Sequence, residues 1–398
     1  MRPVSGDTST MVRTRAQPFS DAQAREAEPR VAEATDFDLH GVVRIRLVDA
    51  GPSDAAAVGR QLGLQPTTLV CEPDLVIRFV DRLPDAGRMR LLGLNDAAFT
   101  DDGFLVLRGV RKSRVRVRIP LEQVGDRCEV VCERGAAGVP LLIALVNMRA
   151  LAVGAVPLHA SSFVHSGTGV VTTGWTKGGK TEALLAFMAR GARFVGDEWV
   201  YLLADDDRVV GIPEPIRLWD WHLRQLPEYR ATTTVRDRRR LRVWRLAELG
   251  RRAMSHGGGR LGRAADRARP LVERRLHIDA DPRLLFPERA LAFEGRLDRL
   301  FFVVTHDSPA IEVEQVDPQE VARRMVFSLE YERLDLRQAY LQFRFAFPEA
   351  ANDLLERSEA LLREALELRF AEKEAYVVHH PYPVDLAQLY EAMRPYCE

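Results

Sequence analysis

The chain has 398 residues, and its 57 Lys and Arg residues balance its 57 Asp and Glu residues, so the formal net charge at pH 7 is zero. Hydrophobic residues make up 46% of the chain and charged residues 29%, and this globular composition excludes a mostly disordered or fibrous protein. The zero net charge argues against a protein that covers nucleic acid with its whole surface. At about 100–200 residues per domain, the length predicts two domains.

The sequence predicts no segment that enters or crosses a membrane. The N-terminus lacks the apolar core of a secretory signal. The longest apolar run, residues 141–156, is interrupted by Asn147 and Arg149 and is shorter than the about 20 residues that span a bilayer. Four scattered cysteines are too few for a disulfide scaffold. We therefore expect a cytoplasmic protein, and the sequence leaves a homo-oligomer open.

The first part of the chain predicts a tail and a small domain. Residues 1–38 are rich in Ser, Thr, Ala, Pro, Glu and Arg without apolar periodicity, which is typical of a disordered tail. Residues 39–138 predict a small β-rich α+β domain with one helix at 53–62. Its predicted strands are VVRIRLV, TTLVCEP, LVIRFV, GFLVLRG, SRVRVRIP and CEVVCE.

Residues 139–398 alternate strands with helices, and this order predicts an α/β domain. The predicted strands are SSFVHSG, GVVTTG, the pair in ARFVGDEWVYLLA, LDRLFFVVTH, AIEVEQV and AYVVHH. The predicted helices are residues 140–153, TEALLAFMARG, residues 319–344, residues 349–369 and VDLAQLYEAM. An Arg-rich insert at residues 236–275 has two interpretations: a solvated helix pair, or a mobile lid whose arginines bind an acidic substrate or phosphate groups.

One loop carries a pattern with a defined chemistry. Residues 174–181 read GWTKGGKT and fit G-x-x-x-x-G-K-[ST], with an apolar strand before them and a helix after them. Glycines let the backbone N–H groups of such a loop converge on phosphate oxygens, while the Lys binds the β- and γ-phosphates and the Thr binds Mg²⁺. The predicted nucleotide-binding residues are Gly174, Trp175, Thr176, Lys177, Gly178, Gly179, Lys180 and Thr181. The alternative is a glycine-rich turn that binds nothing.

Two carboxylates and a histidine accompany this loop. Asp197 and Glu198 end the apolar strand that follows the loop and its helix, where a Mg²⁺ ligand is needed. Because adjacent strand residues point in opposite directions, we expect only one of them to face the phosphates directly. His159 lies on the strand pair that leads into the loop. A solvated acidic turn and a structural histidine are the alternatives.

The order His159, strand hairpin, residues 174–181, then Asp197 and Glu198 resembles the HPr kinase/phosphorylase family of bacterial serine kinases. The resemblance covers residues 155–215 and, more loosely, 376–393, but not residues 1–135. It implies an α/β fold in which a phosphoenolpyruvate carboxykinase-like P-loop domain follows the small mixed α+β domain.

The same resemblance implies roles for single residues. Lys180 and the loop amides would bind the triphosphate of ATP, and Thr181, with Glu198 and Asp197 as further candidates, would hold Mg²⁺. Asp197 would accept the proton of the substrate hydroxyl, and His159 would help to set the ionisation of that acid. The chain departs from the family at Trp175 and in the segment after the acidic pair.

Within that segment, Glu214 and Arg217 are the candidates for the family's later acid and base. Trp219 and Trp221 are predicted to pack the domain, with a place in a substrate pocket as the alternative. His379 and His380 are predicted to end a strand. The expected function is therefore an ATP- and Mg²⁺-dependent kinase acting on a hydroxyl of a peptide, protein or small metabolite. An ATP-binding regulatory module and an ATPase without an acceptor are the alternatives.

Overall fold

Three β-sheets organise the part of the chain that the computed structural model describes, with helices packed on and between them. The described residues are 34–83, 89–94, 96–101, 103–109, 114–204, 206–256, 259–273 and 275–397. Residues 33–398 form one compact unit. The predicted tail lies outside the described residues up to position 33, and the first strand begins at Thr35, inside the segment expected to be tail.

The strands are β1 Thr35–Leu39, β2 Val43–Val48, β3 Leu75–Val80, β4 Arg90–Leu92, β5 Ala97–Thr100, β6 Gly103–Arg108, β7 Arg114–Arg118, β8 Cys128–Glu133, β9 Val156–His165, β10 Thr168–Gly174, β11 Arg193–Gly196, β12 Trp199–Leu202, β13 Arg208–Gly211, β14 Ile216–Trp219, β15 His277–Ala280, β16 Glu294–Arg296, β17 Arg299–Thr305, β18 Glu312–Val316 and β19 Glu374–His380. The helices are α1 Pro52–Leu62, α2 Leu142–Ala152, α3 Lys180–Met188, α4 Asp220–Gln225, α5 Pro227–Thr232, α6 Val235–His256, α7 Gly259–Glu273, α8 Pro282–Leu285, α9 Pro318–Glu332, α10 Leu334–Ala346, α11 Asp353–Phe370 and α12 Leu386–Met393. The described residues are thus of the mixed α/β class, as the sequence predicts.

The first sheet contains eight strands in the order β1-β2-β3-β8-β7-β6-β5-β4. The strand β2 is parallel to β3, and β3 is parallel to β8, while the other neighbours are antiparallel. The prediction of a strand at TTLVCEP is wrong, because residues 68–73 lie outside every strand and Val70 is fully exposed. Pro66 and Pro73 bracket that stretch, and proline has no N–H group to donate to a neighbouring strand.

The second sheet places the phosphate-binding motif next to the acidic pair. Eight of its nine strands follow the order β16-β13-β12-β9-β10-β17-β19-β18, and the ninth, β11, pairs separately with β9. The motif strand β10 is antiparallel to β9 and parallel to β17. Both β11 and β12 pair antiparallel with β9, so the turn between them, which carries the acidic pair, lies over the middle of β9. A third sheet consists of β14 and β15.

The predicted helix at 319–344 is two helices in the structure. The helix α9 ends at Glu332 and α10 begins at Leu334, with the side chain of Arg333 buried between them. The break lets α10 pack on the first sheet. There the rings of Phe343 and Phe104 meet edge to face, with their centroids 6.0 Å apart. Tertiary packing thus overrides a continuous helical pattern, a result that local propensity does not predict.

The Arg-rich insert forms the helix pair α6 and α7, which confirms the first of its two interpretations as far as secondary structure is concerned. Most of its described arginines are exposed, whereas Arg251 is buried and pairs with Glu248 at 2.7 Å. Residues 257 and 258 of its predicted glycine turn lie outside the described residues. No helix in the described ranges is long and apolar enough to cross a membrane.

Candidate functional site

The predicted phosphate-binding loop connects β10 to α3, as the sequence pattern requires. Gly179, the N-cap of α3, has φ +112°, and a Cβ there would lie 2.1 Å from Nε2 of His380. Glycine is therefore required at this position by both backbone conformation and space. No side chain caps α3. The first N–H groups of a helix have no partner within it, so they are free to bind an anion together with the positive end of the helix dipole.

Lys180 is held in the loop by short contacts. Its side chain is buried, and Nζ donates a hydrogen bond to the carbonyl oxygen of Trp175 at 3.1 Å. The hydroxyl of Ser161, on β9, donates to the carbonyl oxygen of Lys180 at 2.8 Å. Burial lowers the pKa of Lys180, and the charges of Glu198 and Asp197 oppose that shift. The ammonium group thus lies between the loop and the acidic pair.

Asp197 lies directly behind the loop threonine. The hydroxyl of Thr181 donates to Oδ2 of Asp197 at 3.0 Å, and the carboxyl group is buried. Burial and the nearby charge of Glu198 raise the pKa of Asp197 to about 8, although the Thr181 hydrogen bond and Lys180 act in the opposite direction. A hydroxyl and a buried carboxyl at this distance form a donor set that suits Mg²⁺, which usually takes one or two carboxylates together with phosphate oxygens.

Glu198 adopts φ +66°, and its side chain turns into the cleft rather than behind the loop. Its Oε2 lies 2.9 Å from Nε2 of His159, whose other ring nitrogen, Nδ1, lies 3.3 Å from Oε1 of Glu332. Burial alone would raise the pKa of Glu198, but the hydrogen bond from His159 and its charge hold that pKa below the usual value. The imidazole of His159 therefore holds the Glu198 carboxylate, which faces the cleft, and the Glu332 carboxylate lies near the other side of the same ring.

The two members of the acidic pair thus occupy different places, Asp197 behind Thr181 and Glu198 beside His159. Glu332, at the end of α9, was missed by the sequence prediction. The packing of α9 against β9 brings its side chain to His159, and no local signal in the sequence indicates that packing.

Two further histidines support the loop from behind. The N–H of Trp219 donates to Nδ1 of His222 at 3.1 Å, so Nε2 of His222 carries the proton and donates to Glu182, also at 3.1 Å. Burial alone would raise the pKa of Glu182, but the hydrogen bond from His222 holds that pKa below its usual value. His380 is buried at the end of β19, with Nε2 2.9 Å from the carbonyl oxygen of Gly178. The strand end predicted for His380 is confirmed, but its contact with the loop was missed.

These groups surround a cavity of about 110 Å³. Its lining residues on the loop side are Thr176, Lys177, Gly178, Gly179, Lys180, Thr181 and Glu182, with His159 and Glu198 beside them and Arg217, Trp219 and Tyr382 completing the wall. Trp219 therefore has the pocket position that the sequence left as an alternative. Trp221 packs against His222 with ring centroids 4.0 Å apart. Among the described residues, no cluster of three or more His, Cys, Asp or Glu side chains is arranged to hold a metal.

Glu214 lies near the acidic pair with a half-buried side chain. Burial, and then the charges of Glu198 and Asp197, raise its pKa to about 8. The folded protein therefore keeps a proton on Glu214 that the unfolded chain, with the ordinary pKa of about 4.5, loses at lower pH. The contribution of Glu214 to stability therefore falls as pH rises between these two values, because the folded state holds the additional proton there.

We expect Glu214→Gln to stabilise the protein relative to the wild type by an amount that grows from about pH 5 to about pH 8 and then levels off. Urea unfolding at several pH values measures this difference, with Glu228→Gln on the exposed face of α5 as the matched control. An equal difference between the Glu214 variant and the wild type at pH 5 and pH 8 would contradict the raised pKa.

The structure brings the loop, His159, Asp197 and Glu198 together around one cleft, as the sequence predicts for a single site. Trp175, at the outer edge of the loop, is exposed and contacts Tyr331 with ring centroids 4.9 Å apart.

No protein-family model matches this chain, and no curated protein matches it either.

Proposed function

We propose that this protein is an ATP- and Mg²⁺-dependent phosphotransferase that phosphorylates a hydroxyl group of a peptide, a protein or a small metabolite. One observation supports the proposal most strongly. The phosphate-binding loop and Glu198 line the same cleft, and Oε2 of Glu198 accepts a hydrogen bond from Nε2 of His159 at 2.9 Å. A loop that only binds a nucleotide needs no oriented carboxylate in front of it. Phosphoryl transfer needs one to orient and deprotonate the acceptor.

We further propose that the domain has the phosphoenolpyruvate carboxykinase-like P-loop fold of the HPr kinase family. The antiparallel pairing of β10 with β9 supports this fold. So does the position of the acidic pair between β11 and β12, which both pair antiparallel with β9. The mainly parallel sheet of the dinucleotide-binding folds would instead put parallel neighbours beside the motif strand.

In this proposal each loop residue has a distinct task. Lys180 and N–H groups at the start of α3 bind the phosphates of ATP, and Arg217 lines the same cavity. Thr181 and Asp197 hold Mg²⁺, and when bound the ion neutralises charge on the phosphates.

Glu198, rather than Asp197, takes the proton of the acceptor hydroxyl. This assignment exchanges the roles that the family resemblance implies. Its physical reason is access: Asp197 is covered by Thr181, whereas Glu198 lines the cavity with a side chain that is 44% exposed. His159 fixes the orientation of the Glu198 carboxylate through a hydrogen bond, and Oε1 of Glu332 lies 3.3 Å from the other ring nitrogen of His159.

The proposal is tested by incubating the protein with γ-labelled ATP, Mg²⁺ and a panel of serine-containing peptides, proteins and hydroxylated metabolites. Label on an acceptor hydroxyl is the expected result. Label found only as free phosphate would instead assign an ATPase, and binding of ATP without turnover would assign a regulatory module. A chain that does not bind ATP at all would contradict every form of the proposal.

A further inference from the structure

Part of the wall of the cleft is formed by β14, whose side chains alternate. Ile216 and Leu218 are buried, while Arg217 and Trp219 are on the other face and line the cavity. Arg217 bonds through Nε to Asp279 on β15 at 3.1 Å. Trp219 is opposite His277 in the strand register, and their rings meet edge to face at 5.2 Å. Each of the two cavity-lining side chains is therefore held by a partner on β15.

These two side chains give the cleft a direction. Arg217 and Glu198 line the same cavity, and the positive charge of Arg217 contributes to the lowered pKa of that carboxylate. Trp219 lies two residues further along β14, and its backbone is connected through His222 to Glu182, which follows Thr181 on α3. With its terminal phosphate at Glu198 and Arg217, a nucleotide would extend its other end along the cavity lining toward Trp219.

A second aromatic side chain is tied to the loop from its other side. Tyr382 follows His380 and Pro381, and His380 bonds to the carbonyl oxygen of Gly178. Tyr382 also contacts Trp221 edge to face at 5.7 Å. With 46% of its surface exposed, Tyr382 is at the mouth of the cavity, where a group larger than the enclosed space has room to project.

We propose that Trp219 and Tyr382 form the subsite for the nucleoside base of the phosphate donor. The inference rests on the proposed function and adds the part of the ligand that the loop does not recognise. Aromatic faces bind bases by stacking, and stacking tolerates different bases because every base has a π-face. We therefore expect ATP and GTP to bind with similar affinity.

The test compares MgATP with magnesium tripolyphosphate, which carries the phosphates without a base, by titration calorimetry. Trp219→Ala is expected to weaken MgATP binding roughly 10- to 100-fold while tripolyphosphate binds as to the wild type. Trp219→Phe keeps a ring and is expected to restore most of the ATP affinity. Trp244→Ala, on α6 and outside the cavity lining, is the matched control for loss of a tryptophan. Tyr382→Leu tests the second ring without altering β14.

Each outcome decides the inference. Unchanged ATP affinity in both Trp219→Ala and Tyr382→Leu would overturn it. Equal weakening of ATP and tripolyphosphate would also overturn it, because Trp219 would then support the loop rather than a base. If the wild type binds neither ligand, the proposed function itself fails, and this result is distinct from the other two.

Discussion

Replacing Lys180 with Ala is expected to remove ATP binding and, with it, any phosphoryl transfer. The ammonium group is buried between the loop and the acidic pair. The planar guanidinium group of an arginine at this position would not have the same reach and geometry. Without it, the negative charge of Glu198 would repel the phosphates instead of acting beside a cation. Removal of one preorganised hydrogen-bond donor at a developing negative charge typically lowers turnover by about 10²–10³-fold. Calorimetry with MgATP and a turnover assay measure the two effects separately.

The comparison for this variant is the other lysine of the loop. Lys177 is exposed and adopts φ +61°, so Lys177→Asn removes a charge while keeping a residue that tolerates that backbone conformation. We expect Lys177→Asn to weaken ATP binding much less than Lys180→Ala. Equal losses would indicate that the loop attracts phosphate only by its overall charge. Wild-type affinity in Lys180→Ala would exclude this loop as the nucleotide site.

The loop and its two flanking elements could be predicted from the sequence because their signals are local. A strand, a glycine-rich turn and a helix within about twenty residues leave little freedom in how they connect. The same holds for the turn between β11 and β12, since an apolar strand ending in two carboxylates requires an exit to a polar space. The alternation of buried residues in β2 likewise follows directly from the sequence.

The partners of these residues could not be predicted, because tertiary packing supplies them from distant positions. Glu332 reaches His159 because α9 packs against β9, and His380 reaches Gly178 because β19 pairs with β17 beside the motif strand. Neither contact is indicated by the sequence around the residues that make it. His222 was likewise not predicted, since a histidine in a short helix has no spacing that indicates its bond to Glu182.

The first part of the chain also bears on the site in a way the sequence does not indicate. Gly63 follows α1 with φ +65°, and a Cβ there would lie 2.0 Å from the carbonyl oxygen of Pro213. Pro213 immediately precedes Glu214 and the strand β14, which carries Arg217. The side chain of Arg283 also donates to the carbonyl oxygen of Gly63 at 2.7 Å. The segment that bears one wall of the cleft is thus in direct contact with an element of the β-rich region.

Substituting the two acids one at a time is expected to give two different defects, one in phosphoryl transfer and one in Mg²⁺-dependent ATP binding. Glu198→Gln should leave MgATP affinity close to that of the wild type and lower transfer about 10²–10⁴-fold, because the amide cannot accept the acceptor's proton. Asp197→Asn should instead weaken the Mg²⁺-dependent part of ATP binding, since the amide keeps the Thr181 hydrogen bond but loses the charge behind the ion. Titrating ATP with and without Mg²⁺, together with the rate of transfer, measures both defects in each variant. Asp335→Asn, an exposed acid on α10, controls for the loss of a carboxylate alone.

Which acid is the base is decided by which variant loses phosphoryl transfer and which loses Mg²⁺-dependent ATP binding. If Asp197→Asn binds MgATP normally but does not transfer phosphate, and Glu198→Gln retains transfer, then Asp197 is the base, as the family resemblance implies. His159→Gln adds a separate readout, because it removes the imidazole that lowers the pKa of Glu198. With Glu198 as the base, the rising limb of the pH–rate profile should shift to higher pH in this variant, because the carboxylate then takes up a proton more readily. An unshifted limb would separate His159 from the proton transfer and leave it only the task of holding the Glu198 side chain.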